Sequence, residues 1–380
     1  MVFNHKYKGG IKMKIVRLQK NLFEKSDKFK VGKKKINAFQ GYLKITKEER
    51  SLVISKAQKL WKRVLKKSGM SDFEGLIRFD FVPEFNKDPE IRNSTIDLGQ
   101  LSIKGLYEIN THSPEGVACD ALYRKSFPKL RRHTPKASKK LANHLSRAYG
   151  DKITMVRGGN LAKESWGDVF VQTLRSYGVD VRLKSADEVM KKRPDLLWRW
   201  GDVDFKKEFN EYDDDFQRWL VRQDGMKIIN TIPESRESDV ANKKLIARKK
   251  DFILNGPESL KKALRLPKND YVLKPLRGAS GKGIVFGELE SRDAWIKTIK
   301  KAHKRGDYGL FKKMMLPKIK VNGLSITMDF LPAFYAHGEN LTHLYSLVRL
   351  EPWESYFSRK TINVAQGGGY GGTVKVVKGG

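Results

Sequence analysis

Tyr271–Gly287 reads YVLKPLRGASGKGIVFG: an apolar strand ending in Lys274 and Pro275, a loop holding Gly278, Gly281 and Gly283, and a second apolar strand from Ile284. Glycines between two strands let backbone N–H groups close on phosphate oxygens, because no side chain stands in the way. Lys274, leaving the first strand, and Lys282, inside the loop, add positive charge. A P-loop needs G-x-x-x-x-G-K-[ST] ahead of a helix, and a dinucleotide fingerprint also opens a helix, so neither describes a loop between strands. The stretch points to a nucleoside-triphosphate clamp of another architecture, or to an ordinary Gly-rich hairpin with an accidental Lys. Alone it weighs the two equally.

A second stretch bears on that choice. Arg78-Phe79-Asp80-Phe81 and, after a polar interval, Leu106-Tyr107-Glu108-Ile109-Asn110 read as two strands. Alternate residues of a strand share a face, so Arg78 projects with Asp80, and Glu108 with Asn110. If the strands are neighbours, four polar groups converge. Two carboxylates and an amide oxygen form a hard oxygen set of the kind Mg²⁺ accepts, with phosphate oxygens and water completing an octahedron. An arginine beside them can hold an oxyanion in fork geometry. The plainer reading is a set of surface ion pairs on a half-exposed sheet. A phosphate loop elsewhere in the chain, which requires a divalent metal, favours the site.

Working outward, Thr46–Ser68 is expected to be a helix whose buried stripe is Leu52, Ile54, Ala57, Leu60, Trp61, Val64 and Leu65. A basic linker follows at 128–140. From Lys152 the order strand, turn, helix, strand suggests a small Rossmann-like unit with a parallel sheet, its last strand at 226–230. The segment 238–250 reads as a helix. SITMDFLPAFYAH (325–337), the turn GEN and LTHLYSLVRL (341–350) read as a long antiparallel hairpin. The segment 362–376 reads as a strand, a Gly-rich loop and a short strand.

Length and composition bound the class. A chain of 380 residues exceeds what one core usually organises, and 39% hydrophobic residues suffice for a globular protein of two or three lobes. With 77 Lys and Arg against 43 Asp and Glu the formal charge is +34. The basic residues are spread along the chain, so a solvated Lys-rich surface is the simplest reading; a polyanionic partner or an acidic small substrate are the others. The single cysteine, Cys119, cannot form an intramolecular disulfide, and no apolar run approaches the roughly 18 residues of a membrane span. No signal peptide is read at the N-terminus, and a cytoplasmic protein is expected. Residues 1–40 read as an N-terminal extension, with Met13 a more natural start than Met1.

Taken together these segments resemble a known family. RFDF followed by LYEINTHSPEG is similar to the metal-binding segment of the glutathionylspermidine synthase and eukaryotic glutathione synthetase families, R-x-D and then E-x-N-[TA]-x-[ST]. YVLKPLRGASGKGIVFG resembles the ATP-grasp glycine loop, ANKK the N-K opening the ATP-binding region, and VRL with INVAQGGGYGG the closing Arg strand and glycine loop. The metal pair precedes the Lys-Pro strand, as in the permuted order of those two families.

The resemblance implies an α/β (α+β) protein of ATP-grasp fold with a Rossmann-like middle lobe. Its parts would be a metal-binding part at 41–140, a substrate lobe at 151–235 and ATP-grasp lobes at 238–380. It implies an ATP- and Mg²⁺-dependent ligase joining a small-molecule or peptide carboxylate to an amine through an acyl-phosphate. Asp80, Glu108 and Asn110 would hold Mg²⁺, and Arg78 would steady the transferring phosphoryl group. Lys243 and Lys274 would contact phosphates. Gly278, Ser280, Gly281, Lys282 and Gly283 would form the flap, and Lys313, Met314, Met315 and Leu316 would lie at the adenine. Arg349 would bind the substrate carboxylate or an ATP phosphate. Such chemistry excludes water, which makes QGGGYGG at 366–372 a candidate lid; a flexible tail is the equal alternative. The loop RGASGKG lacks the Glu that the glutathione synthetase loop places after its Lys-Pro, and substrate identity does not carry over.

Other residues read more plainly. His112 is a candidate proton acceptor but reads first as a hydrogen-bonding scaffold. Cys119 reads as buried and inert. Trp198 and Trp200, flanking Arg199, read as strand packing before a base-stacking platform. Asp213–Asp215 read as a solvated helix start. The alternative function is a basic nucleic-acid-binding protein on a nucleotide-binding fold, for which no RNA-binding signature is present.

Overall fold

A computed structural model describes residues 30–31, 34–35, 42–68, 72–86, 90–92, 95–97, 100–111, 119–126, 136–150, 152–157, 166–200, 216, 219–220, 222, 225–230, 251–276, 283–321, 324–359 and 369–377. The chain is a mixed α/β protein. Strands β1 (Lys30–Val31) and β2 (Lys34–Lys35) pair with each other; β3 (Tyr42–Thr46) leads into helix α1 (Lys47–Ser68). Thr46 and Glu49 explain the helix start, since each side chain caps the other's backbone N–H, at 3.1 Å and 2.6 Å. Val53, Ala57, Trp61, Val64 and Leu65 are buried, with Ile54 and Leu60 at their margin. Leu52, expected in this stripe, is instead exposed, and Val53 takes its place one position on, on the face shared with Ala57 and Trp61.

A nine-stranded sheet runs in the order β5 (Glu90–Arg92), β6 (Thr95–Asp97), β3, β19 (Gly369–Val377), β18 (Asn340–Pro352), β17 (Leu324–His337), β4 (Glu74–Phe85), β7 (Leu101–Asn110), with β16 (Ile319–Val321) beside β17. The expected hairpin is β17–β18, turning at Gly338. The expected lid is corrected: Gly369–Gly372 open β19, which pairs with β18 on one side and, in parallel, with β3 on the other. These glycines are neither lid nor tail, because without β19 the edges of β18 and β3 would lie unpaired. Residues 366–368 lie outside the described residues.

The two faces of this sheet differ. Ile77, Phe79 and Phe81 of β4, Met328, Phe330 and Phe334 of β17, and Val348 and Leu350 of β18 pack with α1. The opposite face begins with Leu76, Leu331, Ala333, Tyr335, Tyr345 and Leu347, which pack on the middle region. That region comprises α2 (Cys119–Ser126), α3 (Ala137–Tyr149), β8 (Lys152–Arg157), α4 (Trp166–Arg175), β9 (Asp180–Lys184), α5 (Ala186–Lys191), β10 (Leu196–Trp200) and β11 (Lys227–Ile229). Its sheet, β11-β10-β8-β9, is wholly parallel, as the strand and helix order suggests, with β11 as the expected last strand. Trp198 is fully buried, edge-on to Phe170 at 5.3 Å, so it is packing.

A four-stranded sheet forms the third unit: β12 (Phe252–Ile253), β15 (Tyr308–Lys312), β13 (Tyr271–Pro275) and β14 (Val285–Phe286), in that spatial order, covered by α6 (Pro257–Arg265) and α7 (Arg292–Arg305). Val272 opposes Phe286 and Leu273 opposes Val285, so the two apolar strands of the opening stretch are paired. Helix α8 (Trp353–Arg359) follows β18. Among the described residues no helix is long and apolar enough to cross a membrane.

Candidate functional site

Strands β4 and β7 are antiparallel neighbours, with Arg78 opposite Asn110 and Asp80 opposite Glu108. Opposed residues in an antiparallel pair project to the same side, so the four polar groups share one face. It is the face bearing Leu76 and Val82, away from α1. β17 and β18 continue the row, with Asp329 opposite Arg349. A polar strip therefore lies between the apolar contact with the middle region and a second apolar cluster around Val82, Leu316 and Tyr356.

Charge alternates along this strip. Asp80 is buried and accepts from Arg78 Nε at 2.7 Å, Arg78 Nη2 at 3.1 Å and Arg349 Nη2 at 3.1 Å. Arg349 also donates Nε to Asp329 Oδ2 at 2.9 Å and its backbone N–H to Oδ1 at 3.1 Å, and its Nη2 meets the same carboxylate. Burial raises the Asp329 pKa against the pull of Arg349. For Arg349 burial opposes the charge, yet Asp329 and Asp80 prevail and hold the guanidinium protonated. Two forks fixed by two carboxylates present cationic edges whose geometry is set before any anion arrives.

Glu108 is exposed at the end of the strip and Asn110 is half-buried. A register shift beside Asp80 leaves Tyr107 as an extra residue in β7, where it packs into the cluster with Val82. Lys274 of β13 lies over the Tyr107 ring, its ammonium 5.8 Å from the centroid, and equally far from the Phe311 ring. The Lys-Pro strand thus reaches the residue next to Glu108. Burial raises the Tyr107 pKa well above its ordinary value, so its hydroxyl stays neutral.

The segment Lys313–Leu316 joins β15 to β16 and forms a wall of this cluster. Leu316 N–H donates to Tyr356 Oη at 3.0 Å, and Lys313 N–H donates to Asp270 O at 2.7 Å. Lys313 Nζ pairs with Glu288 at 2.7 Å, while the Met314 and Met315 side chains pack beside Tyr356. Gly283 closes the described part of the glycine loop at φ +74°, and a Cβ there would stand 2.9 Å from Tyr308 Oη. Lys243, Gly278, Ser280, Gly281 and Lys282 lie outside the described residues, as do His112 and Asp213–Asp215; for Cys119 only the backbone, at the start of α2, is described.

Among the described residues no group of three or more His, Cys, Asp and Glu could hold a metal ion. The donor set on the strip is two carboxylates, Asp80 and Glu108, with the Asn110 amide. Its chemistry fits Mg²⁺, which takes one or two protein carboxylates and fills its octahedron with phosphate oxygens and water. Both Asp80 oxygens already accept from guanidinium N–H groups, so an ion there shares that carboxylate with Arg78 and Arg349.

Asp329 is the site residue that sequence reasoning missed. Its signal was one carboxylate in the apolar run SITMDFLPAF, across a hairpin from Arg349 in the apolar run LYSLVRL. A carboxylate and a guanidinium set in facing apolar runs call for each other.

No protein-family model matches the chain, and no curated protein matches it. Among solved structures, a glutathione synthetase-like effector from Globodera pallida in its apo form is similar over 98% of both chains, at 12% identity and a TM-score of 0.48.

Proposed function

We propose that the chain is an ATP- and Mg²⁺-dependent carboxylate–amine ligase of the ATP-grasp type, with the permuted order of the glutathionylspermidine synthase and glutathione synthetase families. The observation that carries this reading is the polar strip: Arg78, Asp80, Asp329 and Arg349 in alternating contact, Glu108 and Asn110 on the same face, and Lys274 one residue away over Tyr107. Such an array neutralises and orients phosphate oxygens, which is most of what phosphoryl transfer asks of a protein.

Glu108, Asn110 and the shared Asp80 would hold Mg²⁺, which would offset charge on the β- and γ-phosphates. Lys274, and the glycine loop that follows it in sequence, would hold the phosphates. The base would lie against the Met314–Leu316 wall, where the Lys313 and Leu316 N–H groups are already engaged by Asp270 O and Tyr356 Oη. A substrate carboxylate oxygen bonds to the γ-phosphorus as the bond to the β–γ bridging oxygen breaks and ADP leaves. The amine then adds to the acyl carbon, phosphate departs, and the amine gives up a proton. Arg78 and Arg349 stabilise the charge on the transferring group. The carboxylate substrate is an amino acid or peptide held between the strip and the middle region, and the +34 charge favours an acidic one.

Phosphate release measured over a panel of carboxylates, each with and without amines, tests this reading. Release that requires ATP, Mg²⁺ and one carboxylate–amine pair is the expected outcome. Tight, salt-sensitive RNA binding with no turnover on any pair would replace the ligase with a nucleic-acid-binding protein.

A further inference from the structure

Asn230 of the middle region is bonded to the strand ends beside the strip. Asn230 follows β11, is fully buried and sits in the left-handed region at φ +59°, which Asn tolerates better than most residues. Its Oδ1 accepts from Leu76 N–H at 3.1 Å, and its Nδ2 donates to Leu76 O at 2.9 Å and to Thr111 O at 2.7 Å. Its backbone N–H donates to Glu74 O at 2.6 Å, and its carbonyl accepts from Arg199 Nε at 3.0 Å. Leu76 lies two residues before Arg78, and Thr111 directly follows Asn110. The carboxamide offers Leu76 an acceptor and a donor as a residue on an adjoining strand would, at the point where the described β7 has ended. Gly75 makes room for it: at φ +148° it has no Cβ, and one would fall 2.5 Å from Asn230 Oδ1.

We propose that Asn230 is a positioning residue that fixes the paired ends of β4 and β7, and with them Arg78 and Asn110, to the lobe that presents the carboxylate substrate. This rests on the ligase reading for what Arg78 and Asn110 do, but not for what Asn230 holds. Because displacing reacting groups by about 1 Å can lower a rate about a hundredfold, a side chain that sets this registration acts on turnover more than on ATP affinity.

Asn230→Gly keeps the positive φ accessible and removes the side chain with its carboxamide, leaving the backbone bonds to Glu74 and Arg199 available. Tyr149→Phe removes another hydrogen bond between the same two parts, Tyr149 Oη to Tyr335 Oη at 3.0 Å, while Tyr335 Oη keeps its own bond to Glu74 of β4 at 3.2 Å and the β4 and β7 backbones lose no partner, and it controls for general loosening. Native-state amide exchange is followed over 74–80 and 108–111, alongside phosphate release. Asn230→Gly is expected to speed exchange in both segments and to lower kcat about tenfold to a hundredfold, with KM for ATP within about twofold of wild type. Tyr149→Phe is expected to do neither. Unchanged exchange in Asn230→Gly, or equal effects in the two variants, overturns the proposal. If the wild type shows no phosphate release, the ligase reading fails and amide exchange alone still decides whether Asn230 positions these strand ends.

Discussion

Arg349 on β18 opposes Asp329 on β17 and reaches past it to Asp80 on β4, so one guanidinium spans three adjacent strands. Removing it strands the buried Asp329 carboxylate and leaves Asp80 to Arg78 alone. Arg349→Met is expected to cost about 3–5 kcal/mol in urea unfolding, since breaking a buried pair leaves an uncompensated charge. Arg349→Lys restores the charge without the fork, so stability returns in part while phosphate release stays depressed about a hundredfold or more. Full activity in the lysine variant would show that the fork is not used.

Glu108 separates binding from stability. Its side chain is exposed, and Glu108→Gln keeps its volume while removing its charge. The unfolding free energy should move by no more than about 0.5 kcal/mol, as for an ordinary surface change. The Mg²⁺ concentration for half-maximal phosphate release should rise about tenfold or more, a loss that even outer-shell partners of a metal produce. An unaltered Mg²⁺ titration would remove Glu108 from the metal set.

Tyr356→Phe probes the Met314–Leu316 wall. Leu316 is buried and its N–H loses the hydroxyl that accepts from it, at a cost of about 1–3 kcal/mol. With the wall loosened, KM for ATP should rise several-fold while kcat changes little. The measurement is an ATP titration beside a thermal melt, and a loss of stability with KM untouched would place the base elsewhere.

Asp120, bonded to Ser138 in the middle region, gives a pH signature. Burial pushes its carboxyl up from 3.8 to about 6, against the hydrogen bonds from Ser138 that pull it down. The folded state thus holds the proton more tightly than the unfolded one, so stability falls as pH rises through this window and stays lower above it. About two pH units correspond to about 3 kcal/mol. Asp120→Asn should flatten urea stability between pH 4 and 6 and raise it at pH 7; a wild-type profile that rises over that range contradicts the assignment.

Local chemistry made much of this architecture legible. The turn at Gly338 between two long apolar runs announces β17–β18, and Thr46 with Glu49 announces α1. The alternation in RFDF and YEIN shows which residues share a face, but not that β4 and β7 pair at Asp80 and Glu108, nor that a bulge brings Tyr107 in beside them. Asp329 was hidden because its partner is set by hairpin register, which one slipped residue would change. The short strand read at the end of 362–376 is the later part of β19; its glycine-rich start was hidden because glycine is a poor strand former, and its parallel pairing because the partner β3 is distant in sequence.

That parallel pairing has a consequence for the order of events at the ribosome. Thr373 pairs with Tyr42, so the strand that seals the main sheet is synthesised long after the strand it pairs with. Until it emerges, β3 with its helix and the β18-β17-β4-β7 block have, among the described residues, no hydrogen-bonded link through the sheet, and two open edges face solvent or a chaperone. The middle unit and the β12–β15 unit pair their strands within shorter spans of chain and can complete first. Assembly of the polar strip, which draws on β4, β17 and β18, is therefore coupled to the arrival of the glycine-rich strand that covers the far edge of Arg349's own.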